Sequence, residues 1–138
     1  MRPLNKTASA VLDVLFKGLE PHQSRTIDNT KGAFMPVHVE YLGHTLIGQT
    51  ISIAHYYTQN GDLVPDPEGT FFKDQDGHWY PEHLQLCTGH YTVAVFMSGD
   101  QVMVNNRASI ELASFGNMWL RNIKEQQGLK PGKAVKHE

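Results

Sequence analysis

The hydrophobic periodicity predicts an α+β fold: an antiparallel sheet of about five strands flanked by an N-terminal and a C-terminal helix, both packed on one face. Three observations carry it: a helical apolar period near the N-terminus, period-two alternation through the middle, and a return to the helical period from about Ser109.

Between Thr7 and Leu19 the large apolar residues are Val11, Leu12, Leu15, Phe16 and Leu19, the one-face spacing of an amphipathic helix. Thr7 is placed to cap its start, and Gly18 and Pro21 to close it. The polar run from His22 to Lys31 reads as a surface loop. Val37, Val39 and Tyr41 then alternate with His38 and Glu40, which makes a strand with one apolar side. After the Gly43-His44 turn, a second strand runs to Gln59, with Ile51, Ile53, His55 and Tyr57 in one phase and Ser52, Ala54 and Tyr56 in the other. Asn60-Gly61 suits the left-handed backbone of a hairpin turn.

The stretch from Asp62 to Gly69 reads as a shaped loop, because Pro65 and Pro67 donate nothing to a strand ladder. A hairpin follows, from Thr70–Lys73 through the polar turn at 74–77 to His78-Trp79-Tyr80. Tyr91 to Met97 is apolar in both phases, as a central strand would be, and Gln101 to Asn105 is the last strand. The second helix carries Ile110, Leu112, Ala113, Phe115, Trp119, Leu120 and Ile123, with Gly128 as its stop. Its aromatic stripe reads as core rather than as a cofactor box. Residues 1–128 are thus expected to form a single domain, followed by a disordered tail over 129–138.

Composition narrows the function classes. The 138 residues suit one core, and a net charge of -2 gives no general attraction to nucleic acid or acidic lipid. A single cysteine, Cys87, permits neither an internal disulfide nor a cysteine-rich zinc site, as in a reducing compartment. No stretch approaches the ~20 apolar residues that span a bilayer, so the expected location is the cytoplasm.

The densest polar cluster runs from His55 to Glu68. Its candidate binding residues are His55, Tyr57, Gln59, Asn60, Asp62, Asp66 and Glu68. An imidazole and three carboxylates suit a divalent ion such as manganese or zinc, or acid–base catalysis. The plainer alternative is that Asn60, Asp62 and Asp66 bond their own turn backbone. His55, in phase with Ile51 and Ile53, is either a neutral core histidine bonded to tyrosine or backbone, or a general base if that face lines a cleft.

Phosphate loops, dinucleotide fingerprints, nucleophile elbows and zinc-protease spacings are all missing. Lys73 follows Glu68 by five positions, which departs from the acid-lysine spacing of restriction-type nucleases. Cys87 beside His90 reads as a small packed side chain more readily than as an activated thiolate. No catalytic residue, metal or cofactor is assignable on these grounds.

The run His55-Tyr56-Tyr57, then Gln59-Asn60-Gly61-Asp62-Leu63 and Asp66-Pro67-Glu68, resembles a motif of an uncharacterised domain family found in bacterial mobile elements, conjugative regions and prophages. Trp79-Tyr80-Pro81 and the helix from Phe115 to Ile123 are similar to its later segments. The resemblance implies an accessory protein that binds host or element machinery, with no activity to carry over to any residue. The expected function is therefore a non-enzymatic interaction or regulatory module with a protein partner. A metal-dependent hydrolase or nuclease built on the 55–68 hairpin is the alternative, and a homodimer through an uncovered apolar sheet face is a further expectation.

Overall fold

The computed structural model describes residues 1–131. Helix α1 (Lys6–Phe16) buries Ala8, Val11, Leu12 and Leu15. Its cap is Asn5 rather than Thr7: the Asn5 side-chain oxygen accepts from the Ala8 N–H at 2.9 Å, leaving Thr7 inside the first turn. Six strands follow, β1 (Ser24–Ile27), β2 (Val37–His44), β3 (Gln49–Gln59), β4 (Asp62–Lys73), β5 (Trp79–Gln85) and β6 (Tyr91–Val93). They pair antiparallel in chain order as a meander. Strands β7 (Val95–Ser98) and β8 (Gln101–Val104) form a separate hairpin. Helix α2 (Asn106–Gln127) ends the fold.

Both helices lie on one face of the sheet. Leu12, Leu15, Ala113, Trp119, Leu120 and Ile123 meet Val37, Val39, Ile51, Ile53, Phe71 and Trp79 in one buried cluster. Each such side chain, taken out of water, contributes about 1.5–3 kcal/mol, so this layer dominates stability. Polar ties fix α1 on the β4–β5 hairpin: Asp13 accepts from the Trp79 indole at 2.9 Å and from Lys73 Nζ at 3.0 Å. A smaller cluster joins Phe72, Leu84, Ala94 and Val95 to Ala108 and Leu112 of α2.

Several expectations are corrected here. β1 lies within the stretch read as a loop, because four residues with little apolar content give no alternation signal. The proline-rich segment is strand, not loop. Asp66 and Pro67 together stand opposite the single His55, since Tyr56 pairs with Pro65 and Ala54 with Glu68. This two-for-one bulge takes up the second proline. The pairing of β4 with β5 begins only at Glu68, so residues 62–67 have one neighbouring strand and the prolines interrupt no second ladder. The strand read as continuous and central over Tyr91–Met97 is broken at Ala94. Its first part is the sheet edge, while Ala94 and Val95 turn into the smaller cluster and Phe96 and Met97 are exposed.

At the C-terminal end, Asn105 caps α2 by accepting from the Ala108 N–H at 3.1 Å, and Gly128 closes it with a φ of 64°. The Leu129 N–H bonds the Lys124 carbonyl at 2.9 Å, and its side chain packs against the main cluster. Residues 132–138 of the predicted tail lie outside the described residues. Buried Gln127 accepts from the Asn29 N–H at 2.8 Å and donates to the Met35 carbonyl at 3.2 Å, which sews the long β1–β2 connection to α2. Among the described residues, no helix is long and apolar enough to cross a membrane.

Candidate functional site on the helix-free face of the sheet

Alternation decides what the second face of the sheet carries. Because Val37, Val39, Ile51 and Ile53 point at the helices, His38, Glu40, Ser52 and Ala54 point the other way. Register then lines them up. One row across the strands reads Thr26, His38, Ala54, Glu68; the next reads Ser24, Glu40, Ser52, Thr70, His83.

Part of this face is a cleft of 210 Å³ lined by Ser24, Thr26, His38, Glu40, Ser52, Ala54, Tyr56 and Glu68. Its floor is formed by short buried side chains, Ser52 and Ala54, and its rim by long ones. The Thr26 hydroxyl is 3.0 Å from His38 Nδ1, and the His38 ring stands edge-on to Tyr56 with centroids 4.9 Å apart. Ser52 donates to Glu68 Oε2 at 3.4 Å. Burial pushes the Tyr56 phenol above its ordinary pKa, and the charges of Glu68 and Glu40 push it further in the same direction. Arg25 also borders the cleft, but its guanidinium reaches away to the Lys17 carbonyl at 2.6 Å.

Beside the cleft, Leu42, Leu46, Ile47, Thr50, Thr70, His83 and Met97 line a shallow, mostly apolar groove of 480 Å³. The His83 imidazole is 2.8 Å from the Thr70 hydroxyl and stacked on Tyr91, with centroids 5.2 Å apart. Burial lowers its pKa, against the opposing pull of Glu82 and Glu68. The β7–β8 hairpin continues the apolar surface, with Phe96, Met97, Val102 and Met103 exposed.

The motif from His55 to Glu68 is divided among separate places. His55 is 5% exposed on the helix side, with Nδ1 3.0 Å from the Pro36 carbonyl and its ring edge-on to Trp119 at 5.7 Å. Glu68 lies on the opposite face, in the cleft. Gln59, Asn60 and Asp62 are exposed at the hairpin tip, where Asn60 and Gly61 take φ values of 53° and 85°. Asp66 accepts from the Cys87 N–H at 3.2 Å, tying β4 to the β5–β6 connection. The neighbouring Cys87 thiol foremost, then burial and the charge of Asp66, raise the pKa of the Tyr57 phenol.

His38, Glu40, Ser52, Tyr56 and His83 are the site residues absent from the sequence-based selection. The signal of the first four was the polar phase of β2 and β3, whereas His83 joins them from β5 through its pairing with Thr70. A second polar group lies in the β4–β5 turn, where ligand atoms of Asp74, Asp76 and His78 all fall within 4.8 Å of one another. Asp74 Oδ1 already accepts from the N–H groups of Asp76 at 3.0 Å and His78 at 2.9 Å. Burial works to raise the Asp74 pKa, but these two bonds, together with the Tyr80 hydroxyl and the charge of His78, outweigh it and hold the carboxyl below its usual value. That is the chemistry of a turn stabilised by its own side chain.

No curated protein and no solved structure matched the sequence. A family model described as "Domain of unknown function (DUF6908)" matches residues 6–129, nearly the whole described chain, and the protein belongs to that family.

Proposed function

We propose that the protein is a non-enzymatic interaction module of a bacterial mobile element, acting in the cytoplasm and recognising a protein partner through the helix-free face and the adjoining 59–62 hairpin tip. The observation that carries this reading is the division of the motif. A hydrolase built on it needs His55 and a carboxylate in one cleft, whereas the sheet itself stands between His55 and Glu68. An apolar groove adjoining a polar cleft supports recognition instead, since protein interfaces combine an apolar centre with placed polar groups. The mobile-element context rests on the motif resemblance alone.

Affinity capture from the native host tests the reading, using wild type and the double variant Asp66→Ala with Glu68→Ala as baits. A stoichiometric protein partner retained by wild type and lost by the folded variant is expected. Metal-dependent hydrolysis by the pure wild-type protein, abolished in the same variant, would overturn it. A second copy of the chain is a further partner to test by sedimentation. The helix-free face is polar around Glu40, so the apolar surface for such a dimer is the groove and the β7–β8 hairpin that continues it.

A further inference from the structure

We infer that the cleft between Glu40 and Glu68 receives a basic side chain, lysine or arginine, projecting from the protein partner. This rests on the interaction-module reading above and names what that face recognises.

Charge is the first reason. Two carboxylates line the cleft together with the His38 imidazole, and Arg25, which borders it, has its guanidinium bound to the Lys17 carbonyl instead. No lysine lines the cleft and its one arginine is turned away, so a cation entering it loses some hydration in exchange for charge-assisted hydrogen bonds to the two carboxylates. Tyr56 also lines the cleft, an aromatic side chain of the kind that attracts a cation. Ser52 holds one oxygen of Glu68, which fixes the carboxylate while leaving its second oxygen to accept.

Size is the second. At 210 Å³ the cleft is smaller than the roughly 300–1,000 Å³ that enclose drug-sized ligands, so a side chain or an ion suits it and a cofactor does not. The donor geometry separates those two. Among the described residues, the His, Cys, Asp and Glu ligand atoms that converge within 4.8 Å belong to Asp74, Asp76 and His78, not to His38, Glu40 and Glu68. His38, Glu40 and Glu68 thus do not converge as a three-ligand set of the kind that encloses a metal ion. A lysine ammonium or arginine guanidinium, with several donor hydrogens on a long stem, spans such a gap.

The test is an NMR titration of the isotope-labelled full chain with the amides of N-acetyl-arginine and N-acetyl-lysine, and with the neutral amides of N-acetyl-citrulline and N-acetyl-norleucine. Expected are shifts at the backbone amides of Ser52, Ala54 and Tyr56 with the two cationic probes, weakening as salt is raised. The variant Glu40→Gln with Glu68→Gln should weaken the affinity by roughly tenfold or more, the equivalent of one lost charge-assisted bond. Ala54→Leu, which fills the floor without changing charge, should do the same. Equal binding of the neutral probes, absence of shifts in the cleft with either cation, or tighter occupation of the cleft by manganese or zinc would overturn the inference. If a partner is captured equally by wild type and by the double glutamine variant, the interaction module survives and the basic-side-chain assignment alone fails.

Discussion

His55 shows how one residue type can serve packing at a position where chemistry is also conceivable. Its ring is enclosed by Trp119 and bonded to the Pro36 carbonyl, so its removal leaves both a void and an unpaired acceptor. His55→Ala is expected to reduce stability by about 1–3 kcal/mol in urea unfolding while leaving partner capture intact. Loss of capture from a stably folded variant would show a role beyond packing. His83 supplies a pH effect of predictable sign. Burial holds its folded-state pKa below the unfolded value, so the unfolded chain binds the proton more readily. Its contribution is complete above the unfolded pKa of about 6.5 and is lost as pH falls through the folded value. Urea midpoints should therefore decrease on acidification below about pH 6.5, and His83→Gln, which keeps a partner for Thr70, should flatten that slope. An unchanged slope would assign the pH dependence to other groups.

At the scale of elements, turns and bulges set the register that assembles the cleft. Gly48 has a φ of 143°, and a Cβ there would lie 2.4 Å from the Lys73 carbonyl oxygen. Gly61 has a φ of 85° with open space around it. Gly48→Ala should accordingly combine backbone strain of order 1–3 kcal/mol with displacement of β4, whereas Gly61→Ala should lose only about 1 kcal/mol. Thermal unfolding of the two variants side by side checks the order, and equal losses would contradict the close approach at Gly48. The helices, the Asn60-Gly61 hairpin and the polar phase of His38 and Glu40 were legible because each is written in local spacing. What was not legible was the partner of that polar phase. Glu68 reaches the cleft only through the two-for-one bulge at Asp66-Pro67, and two prolines in eight residues argue locally for a loop. Likewise, Tyr91 to Met97 has apolar residues in both phases, and only tertiary packing of Ala94 and Val95 reveals the break.

For the whole molecule, the two helices cover one face of a six-stranded meander and leave the other to a polar cleft, an apolar groove and the β7–β8 hairpin. The central claim is that this second face meets the partner. It was only partly foreseeable: the sequence placed the motif's exposed residues in a hairpin, but not His55 and Glu68 on opposite sides of a sheet. The most direct measurement is a photo-cross-linking scan in the native host, with the reactive residue introduced singly at Thr26, Glu40, Asp62, Glu111 and Arg121. Cross-links to one discrete protein from Thr26, Glu40 and Asp62, and none from the α2 positions Glu111 and Arg121, are predicted. Cross-links confined to the α2 positions would contradict the assignment of the recognition face.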